Sequence, residues 1–335
     1  MKIIFFEVPK EEQGIFAGLL TGFDVLFFEE KLEEKNAGLA KDADVVSVFI
    51  NSLLDKKALD LLPNLKFITT RSTGFEHVDL AYCAGKGIKV SNVPAYGPHT
   101  VAEFAFGLIL NLSRNYINAN NHLRGTTDFN FYSSLQGFDL QGKTLGVIGT
   151  GKIGKNSVKI AKGFEMNVVA YDVYPDEKFA KENNFTYKSL LEVLSESDIV
   201  TIHTPYTKEN YHLINKDNIS KMKKGSLLIN TARGALVDTE ALIWGIKEGI
   251  IKGAGLDVLE GERDLKIENE IFGSTNAREV DYKMLVEDHI LIEMPQVIVT
   301  PHIAFYSKEA EGEIIKTTIE NINGFVANTP QNLVK

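Results

Sequence analysis

The chain has 335 residues, of which 44% are hydrophobic and 24% charged, and its formal net charge is −9. This length allows two domains with separate cores, and the acidic balance argues against nucleic acid or an anionic membrane as the main partner. No apolar run reaches the length of a membrane span, and the apolar N-terminal stretch is too short for a signal peptide. The single cysteine, Cys83, allows no internal disulfide and no cysteine-based metal site, which is typical of a cytoplasmic protein.

The first part of the chain alternates short apolar runs with helical stretches. Strands are predicted at 2–8, 25–28, 45–50, 65–70 and 88–90, with helices around 9–20 and 55–61. Such alternation is typical of a parallel α/β sheet, in which ligands bind at the carboxyl ends of the strands. Thr73 and Gly74 follow the fourth strand, where their backbone N–H groups can hold an anion.

A long and mostly apolar helix is predicted at 100–114. A helix that is apolar around most of its circumference is buried, either between domains or in a subunit interface. Because its apolar area would otherwise be exposed, we expect a homodimer formed through this region. A polar stretch, 115–141, leads on to the next strand.

Residues 144–172 predict a strand–helix–strand unit with a dinucleotide fingerprint. Gly149, Gly151 and Gly154 follow a buried strand at G-x-G-x-x-G spacing, and Asp172 ends the second strand. The first glycine makes the turn, the second admits a pyrophosphate, and the third lets the helix pack on the strand. The carboxylate of Asp172 suits the 2′-hydroxyl of NAD and repels the 2′-phosphate of NADP. Folds that bind S-adenosylmethionine share these features, so the type of reaction must be inferred from residues outside this unit.

The second half continues the alternation of strand and helix. Strands are predicted at 199–202, 226–230, 254–258 and 297–300, helices at 176–184, 189–195, 239–248 and 308–327, and a charged, irregular insertion at about 262–293. This pattern predicts a second doubly wound parallel sheet. No set of histidines has metal-ligand spacing, and no metal site is predicted.

Three polar residues follow strands of this half: Arg233, Glu262 and His302. Strand ends of one sheet meet at one edge, so these side chains can converge. A guanidinium binds a carboxylate in bidentate fashion and polarises the neighbouring carbonyl. An imidazolium can protonate that carbonyl oxygen as hydride arrives, and a carboxylate holds the imidazole tautomer. This set predicts the reduction of a 2-oxo acid, with hydride from the nicotinamide.

Five motifs in order resemble those of the D-isomer-specific 2-hydroxyacid dehydrogenases. They are VPAYGPHTVAEFAFGLIL (93–110), GTGKIG (149–154), NTARGALVD (230–238), GAGLDVLEGE (253–262) and TPHIAFYS (300–307). The resemblance covers essentially the whole chain and implies a Rossmann cofactor domain inserted in a flavodoxin-like substrate domain. It places the substrate domain at 1–98 plus 302–335 and the NAD-binding domain at 99–301. The insertion at 263–293 is longer than in most of the family.

The resemblance also implies roles for individual residues. The catalytic set is Arg233, Glu262 and His302. The substrate-binding residues are Thr73, Gly74, Tyr96 and Phe305. The cofactor-binding residues are Gly149, Gly151, Lys152, Ile153, Gly154, Asp172, His203, Thr204, Pro205, Thr231, Ala232 and Asp257.

The substrate is less firmly indicated than the reaction. Tyr96 and the Phe305–Tyr306 pair resemble the D-lactate dehydrogenase branch, in which aromatic residues shape a small apolar pocket. Pyruvate and D-lactate are therefore the expected pair. 2-Oxoisocaproate, hydroxypyruvate and glyoxylate stay open, because an aromatic pocket limits size only loosely. An NAD-sensing binding protein of the same fold is the alternative from a different class.

Overall fold

The computed structural model describes residues 1–266 and 281–334. The chain divides into two units, Met1–Gly97 with Tyr306–Lys335 and Pro98–Phe305. The sequence places the domain borders after residues 98 and 301, one and four residues from these (98 against 97, 301 against 305). The functional assignment of the two domains stays a prediction.

Twelve strands are found in the described part of the chain. In chain order, β1 to β12 are Lys2–Phe5, Asp24–Phe27, Val45–Val48, Phe67–Thr70, Lys89–Ser91, Thr144–Ile148, Asn167–Tyr171, Thr186–Tyr187, Ile199–Ile202, Ser226–Asn230, Ile251–Leu256 and Val297–Val299. They form two sheets, β2-β1-β3-β4-β5 and β12-β11-β10-β9-β6-β7-β8, and every pairing is parallel. The first order is that of flavodoxin-like sheets, and the second contains the Rossmann order, so the predicted fold class is confirmed.

Thirteen α-helices accompany these strands in the described ranges. In chain order, α1 to α13 are Lys10–Leu19, Lys56–Asp60, Leu80–Lys86, Pro98–Arg114, Tyr116–Thr126, Lys152–Gly163, Glu177–Glu182, Leu190–Glu196, Lys216–Ile219, Thr239–Lys247, Glu262–Lys266, Tyr282–Glu293 and Lys308–Val326. None of these helices is long and apolar enough to cross a membrane.

The core of the first unit lies on both faces of its sheet. Every residue of β3 and β4 is buried, as expected for strands covered by helices on both sides. The last helix of the chain, α13, covers one face with Ile315, Ile319 and Ile322. Its Phe325 stacks on Phe67 of β4, with ring centroids 4.5 Å apart. The C-terminal helix therefore completes a core that begins at Ile3.

In the second unit α4 is a core helix. Ala105, Phe106, Leu108 and Ile109 are buried in one cluster with residues of β6 and β10. A Cβ on Gly255 of β11 would lie 2.9 Å from the Leu108 Cβ, so helix and sheet pack closely. The helix itself therefore leaves less apolar surface free than the sequence predicts.

Two regions differ from the sequence-based expectation. The polar stretch 115–141 contains α5, which has no buried residue. The expected irregular insertion, 262–293, contains α11 and α12, while 267–280 lies outside the described residues. The prediction of an irregular insertion was wrong where α11 and α12 occur, and α5 was not predicted, because a helix with much polar surface shows little apolar periodicity.

Candidate active site

The glycine turn after β6 lies at the switch point of the second sheet, where β6 and β9 are neighbours. Gly149 has a φ of +90°, and a Cβ there would lie 2.8 Å from the carbonyl carbon of His203. A Cβ on Gly154 would lie 2.0 Å from the Gly149 carbonyl oxygen, so α6 can pack this closely only without a side chain. A Cβ on Gly151 would meet nothing within 4 Å, so there is space for a ligand at the α6 N-terminus.

Asp172 follows β7, and its carboxylate bonds back to the glycine turn. Oδ2 accepts hydrogen bonds from Thr150 N at 2.5 Å and Thr150 Oγ1 at 2.8 Å, and Oδ1 accepts from Tyr174 N at 2.9 Å. The Tyr187 hydroxyl lies 2.8 Å from Thr150 Oγ1 and ties β8 to the same network. Sequence reasoning found Asp172 but missed Thr150 and Tyr187, because neither has a signal until the strands are aligned.

The remaining predicted cofactor residues surround this turn and the end of β10. Lys152 and Ile153 open α6, and Thr204 and Pro205 follow β9. Thr231 and Ala232 follow β10; Thr231 Oγ1 is buried and has no hydrogen-bond partner within the described ranges. An orphaned buried hydroxyl at a strand end is a group that a ligand can satisfy.

The His203 imidazole is buried between α6 and β9, with 9% exposure. Its Nε2 lies 2.9 Å from Ser157 Oγ and 3.0 Å from Thr201 Oγ1. Burial lowers the pKa of His203 to about 4, so the ring is neutral. Position 203 therefore supports the glycine turn through its backbone, while its side chain fastens α6 to the sheet.

Arg233 follows β10 in a turn that Asn230 holds. Asn230 Oδ1 accepts from Ala232 N at 3.0 Å, and its Nδ2 donates to Arg233 O at 2.8 Å. A Cβ on the next residue, Gly234, would lie 2.1 Å from the carbonyl carbon of Leu259. Glycine at position 234 is thus required by the close approach of the segment after β11, and Arg233 lies beyond the carboxyl end of β10.

His302 and Glu262 are joined by a hydrogen bond, with Nδ1 and Oε1 3.1 Å apart. His302 has a φ of +57°, a conformation that few residues other than glycine adopt. Burial acts to raise the pKa of Glu262, but the hydrogen bond from His302 and the charges of His302, Lys266 and Arg233 lower it overall. An ionised Glu262 favours a proton on Nδ1 and so fixes the tautomer and orientation of the ring.

Asp257 binds the loop that carries His302. Its Oδ1 accepts from Thr300 Oγ1 at 2.5 Å and from Ile303 N at 2.9 Å, and its Oδ2 accepts from Ala304 N at 2.8 Å. Burial raises the pKa of Asp257 although these hydrogen bonds and His302 oppose it. Both oxygens are engaged within the protein, so Asp257 orients the 300–304 loop. Its predicted place near a nicotinamide stays a prediction.

In the first unit, Thr73 and Gly74 lie in the loop after β4. Thr73 Oγ1 donates to Val93 O at 2.8 Å, and Asn92 Nδ2 donates to Thr73 O at 2.7 Å. Over the described residues, the N–H groups of Thr73 and Gly74 donate no hydrogen bond to a backbone carbonyl. This arrangement suits a carboxylate. Tyr96 is a half-buried residue of the same unit, and Phe305 is a half-buried residue of the second unit.

Arg71 opens this loop, and sequence reasoning missed it. Its buried guanidinium donates to Phe6 O and Glu7 O at 2.7 Å and to Ser47 Oγ at 3.0 Å. Burial lowers the pKa of Arg71 to about 10, against the opposing charges of Glu7 and Glu12. Arg71 thus clamps the carboxyl ends of β1, β3 and β4. An arginine directly after an all-buried strand is the sequence signal that could have found it.

Comparison with known proteins identifies close relatives. Residues 106–304 match the sequence model described as "D-isomer specific 2-hydroxyacid dehydrogenase, NAD binding domain". The D-lactate dehydrogenase of Escherichia coli is 40% identical over 306 residues, covering 90% of this chain and 89% of that protein. The aromatic 2-oxoacid reductase of Clostridium sporogenes is 38% identical over 336 residues, covering 97% and 96%. The structure of D-lactate dehydrogenase from Aquifex aeolicus, complexed with NAD and lactic acid, has a TM-score of 0.88 at 36% identity, covering 99% and 98%.

The residues present fit the predicted cofactor. Gly149 and Gly154 permit the close packing of turn and helix, Gly151 leaves space for a pyrophosphate, and Asp172 directly follows β7. With the matched NAD-binding domain, the prediction of NAD as cofactor is confirmed.

We expect Asp172→Ala to lower the preference for NADH over NADPH by about tenfold or more, because the substitution removes the charge that repels a 2′-phosphate. Kinetics with both cofactors measure the ratio of kcat/KM values. Asp198→Ala is the matched control, since Asp198 accepts from Thr144 N at the amino end of the sheet. An unchanged ratio in Asp172→Ala, or an equal change in both variants, would contradict the role of Asp172.

Proposed function

Because this chain belongs to the D-isomer-specific 2-hydroxyacid dehydrogenase family, we propose that it reduces pyruvate to D-lactate with NADH. NADH supplies the hydride. Arg233 binds the carboxylate of the 2-oxo acid and polarises its carbonyl group. His302 gives a proton to the carbonyl oxygen, and Glu262 holds the imidazole and stabilises its charged form.

The observation that carries this proposal is the Glu262–His302 hydrogen bond of 3.1 Å. It is supported by the placement of Arg233 after β10 and by the effect of its charge on Glu262. The pattern of a general acid, its orienting carboxylate and a cation matches the needs of carbonyl reduction.

Residues of the first unit contribute carboxylate binding in this proposal. The N–H groups of Thr73 and Gly74 offer two donors to an anion. Tyr96 and Phe305 are proposed to limit the size of the group on the 2-oxo carbon. Both are half-buried aromatic residues.

A panel of 2-oxo acids tests the substrate. NADH oxidation is measured with pyruvate, 2-oxobutyrate, 2-oxoisocaproate, phenylpyruvate, hydroxypyruvate, glyoxylate and phosphohydroxypyruvate, and the chirality of each product is determined. Strong turnover of pyruvate to D-lactate supports the proposal. A higher kcat/KM with phenylpyruvate or 2-oxoisocaproate would replace pyruvate by a bulkier substrate. Bound NADH without turnover of any acid would favour an NAD-sensing binding protein. Action in the cytoplasm stays a prediction.

We also propose that a second copy of this chain covers an exposed aromatic segment. Phe129 is 90% exposed and Phe131 94% exposed, directly after α5, which carries exposed Tyr116 and Ile117. Exposed aromatic residues at this density mark an interface. The proposed interface thus consists of α5, which follows α4, and of the segment directly after α5.

Sedimentation experiments test this homodimer. Phe129→Ser with Phe131→Ser is expected to shift the mass from dimer toward monomer, because two large apolar groups leave the interface. Tyr174→Ser is the control, since Tyr174 is 87% exposed in another part of the unit. A wild-type monomer, or an unchanged dimer in the double variant, would contradict the proposal.

A further inference from the structure

Helix α12 carries a buried carboxyl group that none of the roles above uses. Asp288 is 0% exposed, and its Oδ2 accepts a hydrogen bond from Gly261 N at 3.0 Å. Its Oδ1 is buried and lacks a hydrogen-bond partner among the residues that the structure describes. A buried carboxylate oxygen without a donor is energetically costly, so this group is either neutral or strained.

The chain turn at Gly261 is packed directly on this side chain. A Cβ on Gly261 would lie 2.5 Å from Asp288 Oδ2 and 2.8 Å from Met284 Cγ, so only glycine permits the contact. The next residue is Glu262, which bonds His302 at 3.1 Å. The backbone position of Glu262 therefore depends on how Gly261 sits against α12.

We propose that Asp288 is a positioning residue for Glu262: its carboxyl group accepts the Gly261 N–H and fixes the turn that presents Glu262 to His302. The inference rests on the proposed function only in assigning catalysis to that pair. Asp288 acts through Glu262 and does not touch the substrate.

The charge state of Asp288 suits this role. Burial raises the pKa of Asp288 to about 7, the Gly261 N–H opposes this, and the charges of Glu260, Glu287 and Glu262 raise it further. Well below this pKa the carboxyl group is thus uncharged and can lie near Glu262 without repulsion. Above pH 7 it ionises and places a second negative charge beside Glu262.

Two lysines among the described side chains near α12 are engaged with other carboxylates. Lys283 lies 2.7 Å from Glu240 of α10 and 3.4 Å from Glu287, and Lys266 of α11 lies 3.7 Å from Glu262. Among the described side chains, these pairs leave the acidic surroundings of Asp288 in place, in keeping with the direction of its pKa shift.

Two substitutions distinguish the effect of the Gly261–Asp288 hydrogen bond from the effect of side-chain packing. Asp288→Asn keeps the shape and an acceptor for Gly261 N–H but cannot ionise, whereas Asp288→Leu keeps a similar volume without an acceptor. Well below pH 7, we expect kcat of Asp288→Asn to stay within about twofold of wild type and that of Asp288→Leu to fall about tenfold or more, with KM for NADH unchanged. The ratio of kcat of Asp288→Asn to that of wild type is expected to rise as the pH passes 7, because only the wild type gains the repelling charge.

The melting temperature gives a readout that needs no turnover. A folded-state pKa raised from 3.8 to about 7 means that the folded protein binds the proton more tightly than the unfolded chain. The stability from this proton is complete below the unfolded value and is lost as the pH rises to about 7. The melting temperature of wild type is therefore expected to fall relative to that of Asp288→Asn over this range. Hydrogen exchange of the Gly261 amide is expected to be slow in wild type and Asp288→Asn and fast in Asp288→Leu.

Full kcat in Asp288→Leu, equal losses in both variants, or a pH-independent kcat ratio would overturn the inference. Unchanged exchange at Gly261 in Asp288→Leu would do so as well. If wild type turns over no 2-oxo acid while exchange and melting behave as expected, the proposed function fails but the fixing of the Glu262 turn by Asp288 stands.

Discussion

His302→Asn is expected to lower kcat for 2-oxo-acid reduction by about 10²–10⁴-fold, because the protein loses the group that protonates the carbonyl oxygen. Position 302 has a φ of +57°, and asparagine adopts this conformation more readily than most residues, so the loop keeps its shape. The loss falls on kcat, while the Kd for NADH stays within about twofold of wild type. Steady-state kinetics measure kcat, and fluorescence titration measures the Kd for NADH.

The chain offers a matched control in His212→Asn. His212 also has a positive φ, +51°, and its Nε2 lies 2.7 Å from Glu260 Oε1, so it is a second histidine–glutamate pair in the same unit. We expect this variant to keep kcat within about fivefold, since no proton transfer is assigned to it. Equal losses in the two variants would indicate a structural effect, and an unaltered rate in His302→Asn would remove His302 from the mechanism.

The fold can be predicted from the sequence wherever a physical requirement produces a recognisable pattern of apolar residues or glycines. The strands β9 and β10 have the predicted bounds because strands covered on both faces must be continuously apolar. The glycine spacing at 149–154 is similarly forced, since a Cβ on Gly154 would meet the Gly149 carbonyl oxygen. By contrast, α5 buries no residue, and charged residues interrupt the apolar positions of α12. Neither helix therefore has a clear apolar stripe in its sequence.

The residues of the candidate site also differ in whether the sequence alone can locate them. Arg233 follows the fully buried strand β10 and His302 follows the apolar strand β12, and the ends of such strands can be located from the sequence. The residues that hold them cannot, because their partners are distant in the chain. Asp288 contacts Gly261 across 27 positions, and Tyr187 contacts Thr150 across 37. Such pairs depend on the packing of α12 and on the pairing of β7 with β8, which no local pattern specifies.

Arg233→Lys is expected to raise KM for the 2-oxo acid and lower kcat/KM by roughly 10–100-fold, because an ammonium cannot form two parallel hydrogen bonds to a carboxylate. The turn itself is retained, since Asn230 binds the backbone of Ala232 and Arg233 and not the guanidinium. Folding and NADH binding are therefore expected to be unchanged, and the effect is seen only when the 2-oxo acid is varied.

Arg124→Lys on α5 controls for the substitution itself, because α5 has no buried residue and position 124 is exposed. Kinetics with pyruvate and with a bulkier 2-oxo acid then separate two explanations. A loss of similar size for both acids indicates that Arg233 binds the carboxylate that they share. A KM in Arg233→Lys equal to that of wild type would mean that the N–H groups of Thr73 and Gly74 suffice for the carboxylate. The charge at position 233, which lysine keeps, would then act mainly on Glu262, whose pKa it helps to lower.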